Sequence, residues 1–243
     1  MSELNNLSKS LEHTLKNSDL QNVTIGLAEV FTDSLMEDGI AKDIPIIGTV
    51  IGLGKASIGI KESMFLKKII YFISELKNIS TTKRYEMIDK IDTSGKFRTR
   101  VGEKLLYIID KCEDHEKSQL IAILFSAFLS EKISYEEFLR ASHIVDQVML
   151  EDLKRLVTCG WEKEDGWRLR LEDREGYLTL DEAGNIATSG LVELVSPEVM
   201  IKEPEDWKDA EAFGAHIVEG SELTVRISDI GKKIQDILKD SLS

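Results

Sequence analysis

The chain has 243 residues, of which 42% are hydrophobic and 31% are charged, and its formal net charge is −13. Its apolar content is high enough to bury a core, which predicts a globular rather than a disordered chain. The acidic balance argues against long-range attraction to nucleic acid or to anionic lipid.

The charges are unevenly distributed along the chain. Residues 61–111 carry twelve Lys/Arg against seven Asp/Glu, a net charge of +5, whereas residues 151–243 carry twelve against twenty-two, a net charge of −10. This shift predicts two domains. We expect a mainly α protein, with a multi-helix domain over 1–158 and a small α+β domain over 159–243.

The first predicted elements are two helices. Leu4, Leu7, Leu11 and Leu15 repeat at three and four residues, which predicts an amphipathic first helix. Ser18 and Gln21 have capping-box spacing, which predicts a second helix over roughly 19–37 that ends at Gly39.

A glycine-rich segment, IPIIGTVIGLGKASIGI, follows at residues 44–60. Gly48, Gly52 and Ala56 recur every four residues, and Gly52 and Gly59 are seven apart. On a helix these positions predict one face with almost no side-chain bulk, of the kind that lets two helix backbones approach closely. Each glycine also lowers helix stability by about 1 kcal/mol relative to alanine, so the helix is expected to be marginal.

Two hypotheses fit this segment and the flank that follows it. In the first, the smooth face packs tightly on the apolar run at 119–129 inside the folded protein. In the second, the segment contacts a membrane, with Phe65, Lys67, Lys68 and Phe72 at the interface. Only Ile44–Gly54, eleven residues, is free of charge, whereas a full span needs roughly twenty. We therefore favour packing, and keep conditional membrane contact through 44–76 open.

The middle of the chain predicts further helices. Short apolar stripes indicate helices at 82–91 and 96–112, and QLIAILFSAFL at 119–129 is apolar nearly all round, as expected of a central helix. Ser134 and Glu137 form a second capping-box pattern, which predicts a long helix that runs to about residue 158.

The pattern changes after Gly160. Alternation at 167–171 predicts a strand, and Tyr177–Leu180 could return it as a hairpin. A helix is expected at 181–190, strands at 191–195 and 223–227, a loop-rich stretch at 196–222, and a closing helix at 228–240.

This C-terminal pattern resembles a winged-helix domain. The resemblance lies in SGLVEL at 189–194, where a helix end runs into a strand, and in LTVRISDIGKKI at 223–234, where a strand enters the closing helix. The 27 residues between the two strands depart from the short wing that is usual. Residues 175–201 contain no Lys or Arg, although DNA contacts require cations. We therefore expect a protein-contact module, with a DNA-binding transcriptional regulator as the alternative.

No catalytic or metal-binding motif is recognisable. The chain lacks a P-loop, GxSxG and HExxH, so we predict a non-enzymatic protein with no catalytic residue and no cofactor. Cys112 and His115 have the spacing of half a zinc site, but no second half accompanies them, and we predict no metal. The two cysteines belong to no CxxC pair and the N-terminus lacks a signal-peptide pattern, which predicts a cytoplasmic protein. A peripheral position at the inner face of the membrane is the alternative.

The whole arrangement is similar to helical bacterial proteins of unassigned function that end in a winged-helix-like domain. The resemblance lies in Ile44–Lys55, Phe65–Phe72 and Ile133–Arg140, and it implies a fold but no activity.

The function predicted from the sequence is that of an interaction or effector protein. We expect a protein partner or a homodimer rather than nucleic acid, and a membrane-active effector that forms pores or depolarises is a further alternative. Trp161, Trp167 and Trp207 are candidate protein contacts, because aromatic anchors are enriched at interfaces. The alternative for all three tryptophans is the core of the small domain.

Overall fold

The computed structural model describes the chain in eight stretches, residues 2–23, 44–53, 59–158, 168–170, 180–195, 199–202, 217–220 and 224–242. The protein is mainly α-helical, with small antiparallel sheets towards the C-terminus. Its contacts divide it into two compact units, Met1–Leu150 and Glu151–Ser243. The division follows Leu150, whereas the sequence boundary was drawn after residue 158.

The described part of the N-terminal unit contains seven helices. They are α1 (Ser2–Asn17), α2 (Pro45–Leu53), α3 (Ile60–Ser74), α4 (Thr81–Thr93), α5 (Val101–Lys111), α6 (His115–Leu129) and α7 (Tyr135–Gln147). Helix α3 packs along α6, which is buried on nearly every side. The ring of Phe125 on α6 lies 5.9 Å from that of Phe72 and 5.2 Å from that of Phe138, so aromatic side chains join three helices at the centre of the core.

Helix α1 is attached to the bundle by a buried arginine. Arg84 on α4 is only 2% exposed, and its guanidinium donates hydrogen bonds to the carbonyl oxygens of Leu15 at 2.8 Å and Ser18 at 2.6 Å. Because the last carbonyls of a helix have no partner within the helix, Arg84 supplies the donors that the C-terminal end of α1 lacks.

A buried ion-pair network also holds α1. Lys16 lies 3.2 Å from carboxylate oxygens of both Glu12 and Asp92. Burial alone would lower the pKa of Lys16, but hydrogen bonds and charge attraction from these two carboxylates raise it above its ordinary value. Asp92 in turn accepts a hydrogen bond from the Val101 amide at the start of α5, so the network joins α1, α4 and α5.

The structure confirms one feature of the predicted helices and changes two. The capping box of Ser134 and Glu137 is confirmed at the start of α7. The single long helix from 134 to 158 is wrong, because α7 ends at Gln147 and a new helix starts at Leu150, with Val148 extended between them. The helix predicted over 96–112 begins only at Val101, where the Asp92 side chain accepts from its first amide.

The helix predicted from residue 19 does not start there. Residues 18–23 are not helical and contain a turn at 21–22, and the Gln21 amide donates to the side chain of Asp19 rather than to Ser18. Residues 24–43 lie outside the described residues, as does the rest of that prediction.

The C-terminal unit combines helices with two small sheets. Its described elements are α8 (Leu150–Thr158), β1 (Arg168–Arg170), α9 (Leu180–Thr188), β2 (Val192–Val195), β3 (Val199–Lys202), β4 (Ile217–Gly220), β5 (Thr224–Ile227) and α10 (Asp229–Leu242). One sheet has the antiparallel order β1-β5-β2, and β3 pairs with β4 in the other. Leu194 faces Val225 across the first sheet, and Ile201 faces Val218 across the second.

Two sequence predictions for this unit are corrected. The stretch 196–222 was expected to be loop-rich but contains the paired strands β3 and β4. The β-branched residues of these strands favour β-sheet structure. Leu180, expected to end a returning strand, instead opens α9, and β1 pairs with β5. Residues 171–179 lie outside the described residues.

Candidate functional site

The glycines of α2 lie on its outer face. Ile46, Ile47 and Val50 are buried, and the 3.6-residue repeat places Gly48 and Gly52 on the opposite side of the helix. Gly52 is exposed, and among the described residues no atom lies within 4 Å of a methyl group added to it. No described residue packs closely against Gly52, because the bulky β-branched side chains of α2 lie on its buried side.

Helix α2 also packs on a different partner from the one expected. It lies on α1 and touches α3, whereas the sequence predicted packing on residues 119–129. The hydroxyl groups of Ser10 and Thr49 are 2.7 Å apart, and the Ile46 amide donates to the Thr14 hydroxyl at 3.1 Å. These polar contacts fix the inner face of α2 against α1.

Gly59 does not extend the glycine face. Its backbone is extended, with φ −71° and ψ 168°, and it is the N-cap of α3. Gly52 and Gly59 therefore belong to different elements rather than to one helix face. Ala56 lies outside the described residues.

Helix α3 changes character along its length. Every residue from Ile69 to Ser74 is buried, whereas Ile60 is 81% exposed and Met64 is 55% exposed. Ile60, Met64, Lys67 and Lys68 follow one another at three- and four-residue spacing, so they form a single stripe on the helix. We call this stripe the Ile60 surface. Leu53, the last residue of α2, is also exposed.

Two of the predicted contact residues are lysines of the Ile60 surface, and packing fixes both. The Lys67 ammonium lies 5.8 Å from the centre of the Tyr71 ring, and Lys68 donates to the Asp110 carbonyl at the end of α5 at 3.1 Å. Within the described residues, neither ammonium has a carboxylate within 4 Å. The surface therefore presents apolar side chains beside uncompensated positive charge.

The groups beneath these lysines are kept neutral. The ring of His115 lies 4.5 Å from that of Tyr71, and burial together with the nearby Lys67 lowers the pKa of His115. Burial raises the pKa of the Cys112 thiol to about 12, and its Sγ donates to the Ile108 carbonyl. Cys112 and His115 are thus held by apolar packing, and no cluster of three metal-ligating side chains occurs among the described residues.

The remaining predicted site residues fall into two groups. Phe65 is half-buried, and Phe72 is fully buried against Phe125. The Phe72 side chain is therefore not accessible to a partner. Trp161, Trp167 and Trp207 lie outside the described residues.

The sequence reasoning missed Ile60 and Met64. The signal was present, because both are apolar residues on the lysine-bearing side of α3 rather than on its buried side. An apolar residue on an otherwise polar stripe is the pattern that distinguishes a contact surface from a solvated face.

Comparisons with models of protein families, with curated proteins and with solved structures find no match to this chain. None of the described helices combines the length and the apolar character that crossing a bilayer requires.

Proposed function

We propose that this chain is a non-enzymatic interaction protein that makes contact through the Ile60 surface. The observation that carries the proposal is the exposure of Ile60 and Met64 on one stripe of α3, beside Lys67 and Lys68. Burying exposed apolar surface contributes roughly 25 cal/mol per Å², and neighbouring lysines attract an acidic partner or an anionic lipid headgroup.

The outer face of α2 supports the same proposal. Gly52 offers backbone without side-chain bulk, and Leu53 adds a further exposed apolar side chain near the end of that helix. A partner can approach such a face closely, because none of the described side chains covers Gly52. The face needs no rearrangement of the core to become available.

We further propose that the C-terminal unit is a winged-helix-like module used for protein contact. Two features support this: β2 pairs with β5 as the two strands of a wing would, and β5 leads through Ser228 directly into α10. Arg226 forms an ion pair with Glu193 across the strands, and Arg155 pairs with Glu182. These arginines are engaged by carboxylates, which favours protein contact over phosphate contact.

A charge-introducing variant tests the role of the Ile60 surface. Ile60→Glu combined with Met64→Glu places acids near the N-terminus of α3, where the helix dipole tolerates them, so the fold should survive. We expect the wild-type protein to self-associate in sedimentation velocity or to float with anionic phosphatidylserine vesicles, and the variant to lose that behaviour. Self-association would identify a second copy of the chain as the partner, whereas flotation with vesicles would identify a membrane surface.

A matched control replaces exposed side chains elsewhere on the same unit. Leu4→Glu combined with Tyr107→Glu changes the net charge equally and should leave both behaviours intact. Equal loss in both double variants, or no association of the wild type in either assay together with no cross-linking from residue 60 in cells, would refute the proposal.

A further inference from the structure

Helix α3 is most exposed in its first two turns. Ile60 is 81% exposed and Met64 is 55% exposed, whereas every residue from Ile69 to the end of the helix is buried. Leu53, the last residue of α2, is also exposed, and only residues 54–59 separate it from Ile60 in the sequence. Three exposed apolar side chains therefore flank the connection between two helices that touch each other. We call Leu53, Ile60 and Met64 the apolar tip.

Three lysines accompany the apolar tip on α3. Lys61 is exposed and belongs to the first turn of the helix. Lys67 and Lys68 lie about 10–12 Å further along the helix axis than Ile60. The 3.6-residue repeat places these lysines on the side that carries Ile60, and it places Glu62, the acidic residue of α3, on the opposite side. None of the three lysines forms an ion pair with a described carboxylate, so this side of α3 is positively charged.

The charged groups near this side of α3 include acids at the start of α6. The ring of His115 on α6 lies 4.5 Å from that of Tyr71; burial lowers the pKa of His115, and Lys67 lowers it further. Asp114 and Glu116 each raise this pKa, but by less than Lys67 lowers it. Lys67 is therefore the strongest single charge acting on His115, and the stretch 61–111, which contains α3, has a net charge of +5.

The order of these side chains discriminates between the possible partners. A two-fold contact between copies applies the same patch to itself, so it would bring at least four lysines together with no acid of the patch to offset them. At protein interfaces the apolar residues occupy the centre and polar residues surround them. Here the apolar side chains lie at one end and two of the lysines lie behind them. A lipid interface has its layers in that order, with acyl chains first and charged headgroups next.

We propose that the apolar tip docks the N-terminal unit on an anionic lipid bilayer, with Lys67 and Lys68 at the level of the lipid phosphates. The apolar side chains need only reach the boundary between headgroups and acyl chains, roughly 5–10 Å deep. The lysines act at short range, because the whole chain is acidic and salt screens charges beyond about 8–10 Å. This inference rests on the proposed function of the Ile60 surface and names its partner.

Fluorescence from single positions of the full-length chain tests this docking directly. An environment-sensitive fluorescent amino acid replaces Ile60, Met64 or, as the control, Tyr85, which is exposed on α4. The vesicles contain phosphatidylcholine mixed with phosphatidylserine, or phosphatidylcholine alone, and some carry a nitroxide quencher on the acyl chains. We expect the mixed vesicles to shift the emission to the blue at positions 60 and 64, with quenching by the nitroxide, and to leave position 85 unchanged. Phosphatidylcholine alone should cause little change at any position.

Three results would overturn the proposal. They are no shift at positions 60 and 64, an equal shift at position 85, and an equal response to phosphatidylcholine alone. Photocross-linking from position 60 in cells then separates this inference from the proposed function. A cross-link to a protein or to a second copy, without any shift on vesicles, would overturn lipid docking and leave the Ile60 surface as a place of contact. The absence of both would overturn the two together.

Neutral substitutions test the contribution of the lysines. Lys61→Gln with Lys67→Gln should weaken binding to the mixed vesicles by at least about tenfold, and Lys61→Arg with Lys67→Arg should bind like the wild type. The matched control, Lys77→Gln with Lys90→Gln, removes the same charge at exposed positions outside the Ile60 surface and should leave binding within about twofold. Equal weakening in both glutamine variants, or failure of the arginine variant to bind, would overturn the role of these lysines.

Discussion

Helices α1 and α2 lie against each other but are held in different ways. Buried groups on two other helices hold α1: Arg84 caps its end, and Gly102 on α5 lets the two backbones meet. The inner face of α2 is packed, whereas its outer face at Gly52 meets none of the residues that the structure describes. The comparison teaches that a glycine in a helix indicates close packing only when a neighbouring backbone is there to approach it.

The largest expected effect concerns the cap of α1. Arg84→Met keeps the apolar stem but removes the donors to buried carbonyls, so we expect the free energy of unfolding to fall by at least about 3 kcal/mol in urea titrations. Arg98→Met, at an exposed position, is the matched control and should change stability little. If both variants behave alike, the cap of α1 contributes nothing.

The next effect concerns the contact between α1 and α5. A methyl group on Gly102 would lie 2.9 Å from the Glu12 Cβ and 3.1 Å from the Ser8 carbonyl oxygen. Gly102→Ala should therefore destabilise the protein by about 1–3 kcal/mol, despite the better helix propensity of alanine. A higher urea midpoint for this variant would show that α1 does not approach α5 so closely.

A smaller effect concerns the ion-pair network of α1 and depends on pH. The folded-state pKa of Lys16 is raised above 10.5, so the stabilisation is fully present below that value and is lost as pH rises through the folded-state pKa. We expect the difference in stability between wild type and Lys16→Met to shrink in alkaline urea titrations. A difference that stays constant as pH rises would mean that the charge of Lys16 does not stabilise α1.

The smallest effect has the opposite sign and concerns α2. Gly52→Ala adds a methyl group that meets no described atom within 4 Å and should stabilise the protein by up to about 1 kcal/mol, since alanine is the better helix former. Thermal unfolding of the purified protein measures this. A loss of stability would place a packed neighbour against Gly52 and remove part of the support for the Ile60 surface.

Local signals in the sequence predicted some of this fold. Ser134 and Glu137 lie three residues apart, and a capping box needs nothing beyond that spacing. The break at Val148 and Met149 was not predictable in this way, because helix-forming sequence continues on both sides of it. The break lies next to the point, after Leu150, at which the chain divides into its two compact units.

The candidate site was predictable only in part. Spacing identified the region of α2 and α3, yet small residues suit both a tight contact and an open face, so periodicity could not decide which face is buried. The bulky side chains of Ile46, Ile47 and Val50 are buried, so the side of α2 that carries them is its inner face. Gly102, at which an added methyl group would meet the backbone of α1, belongs to no repeat, and its role depends on where α1 lies.

The most direct test of the contact surface is site-specific photocross-linking in cells. A photoreactive phenylalanine at position 60 is compared with the same residue at position 107, which is exposed on α5. We predict a discrete cross-linked product, to a partner protein, a second copy or lipid, from position 60 and none from position 107. Equal cross-linking from both positions, or none from position 60, would contradict the assignment of the Ile60 surface as the place of contact.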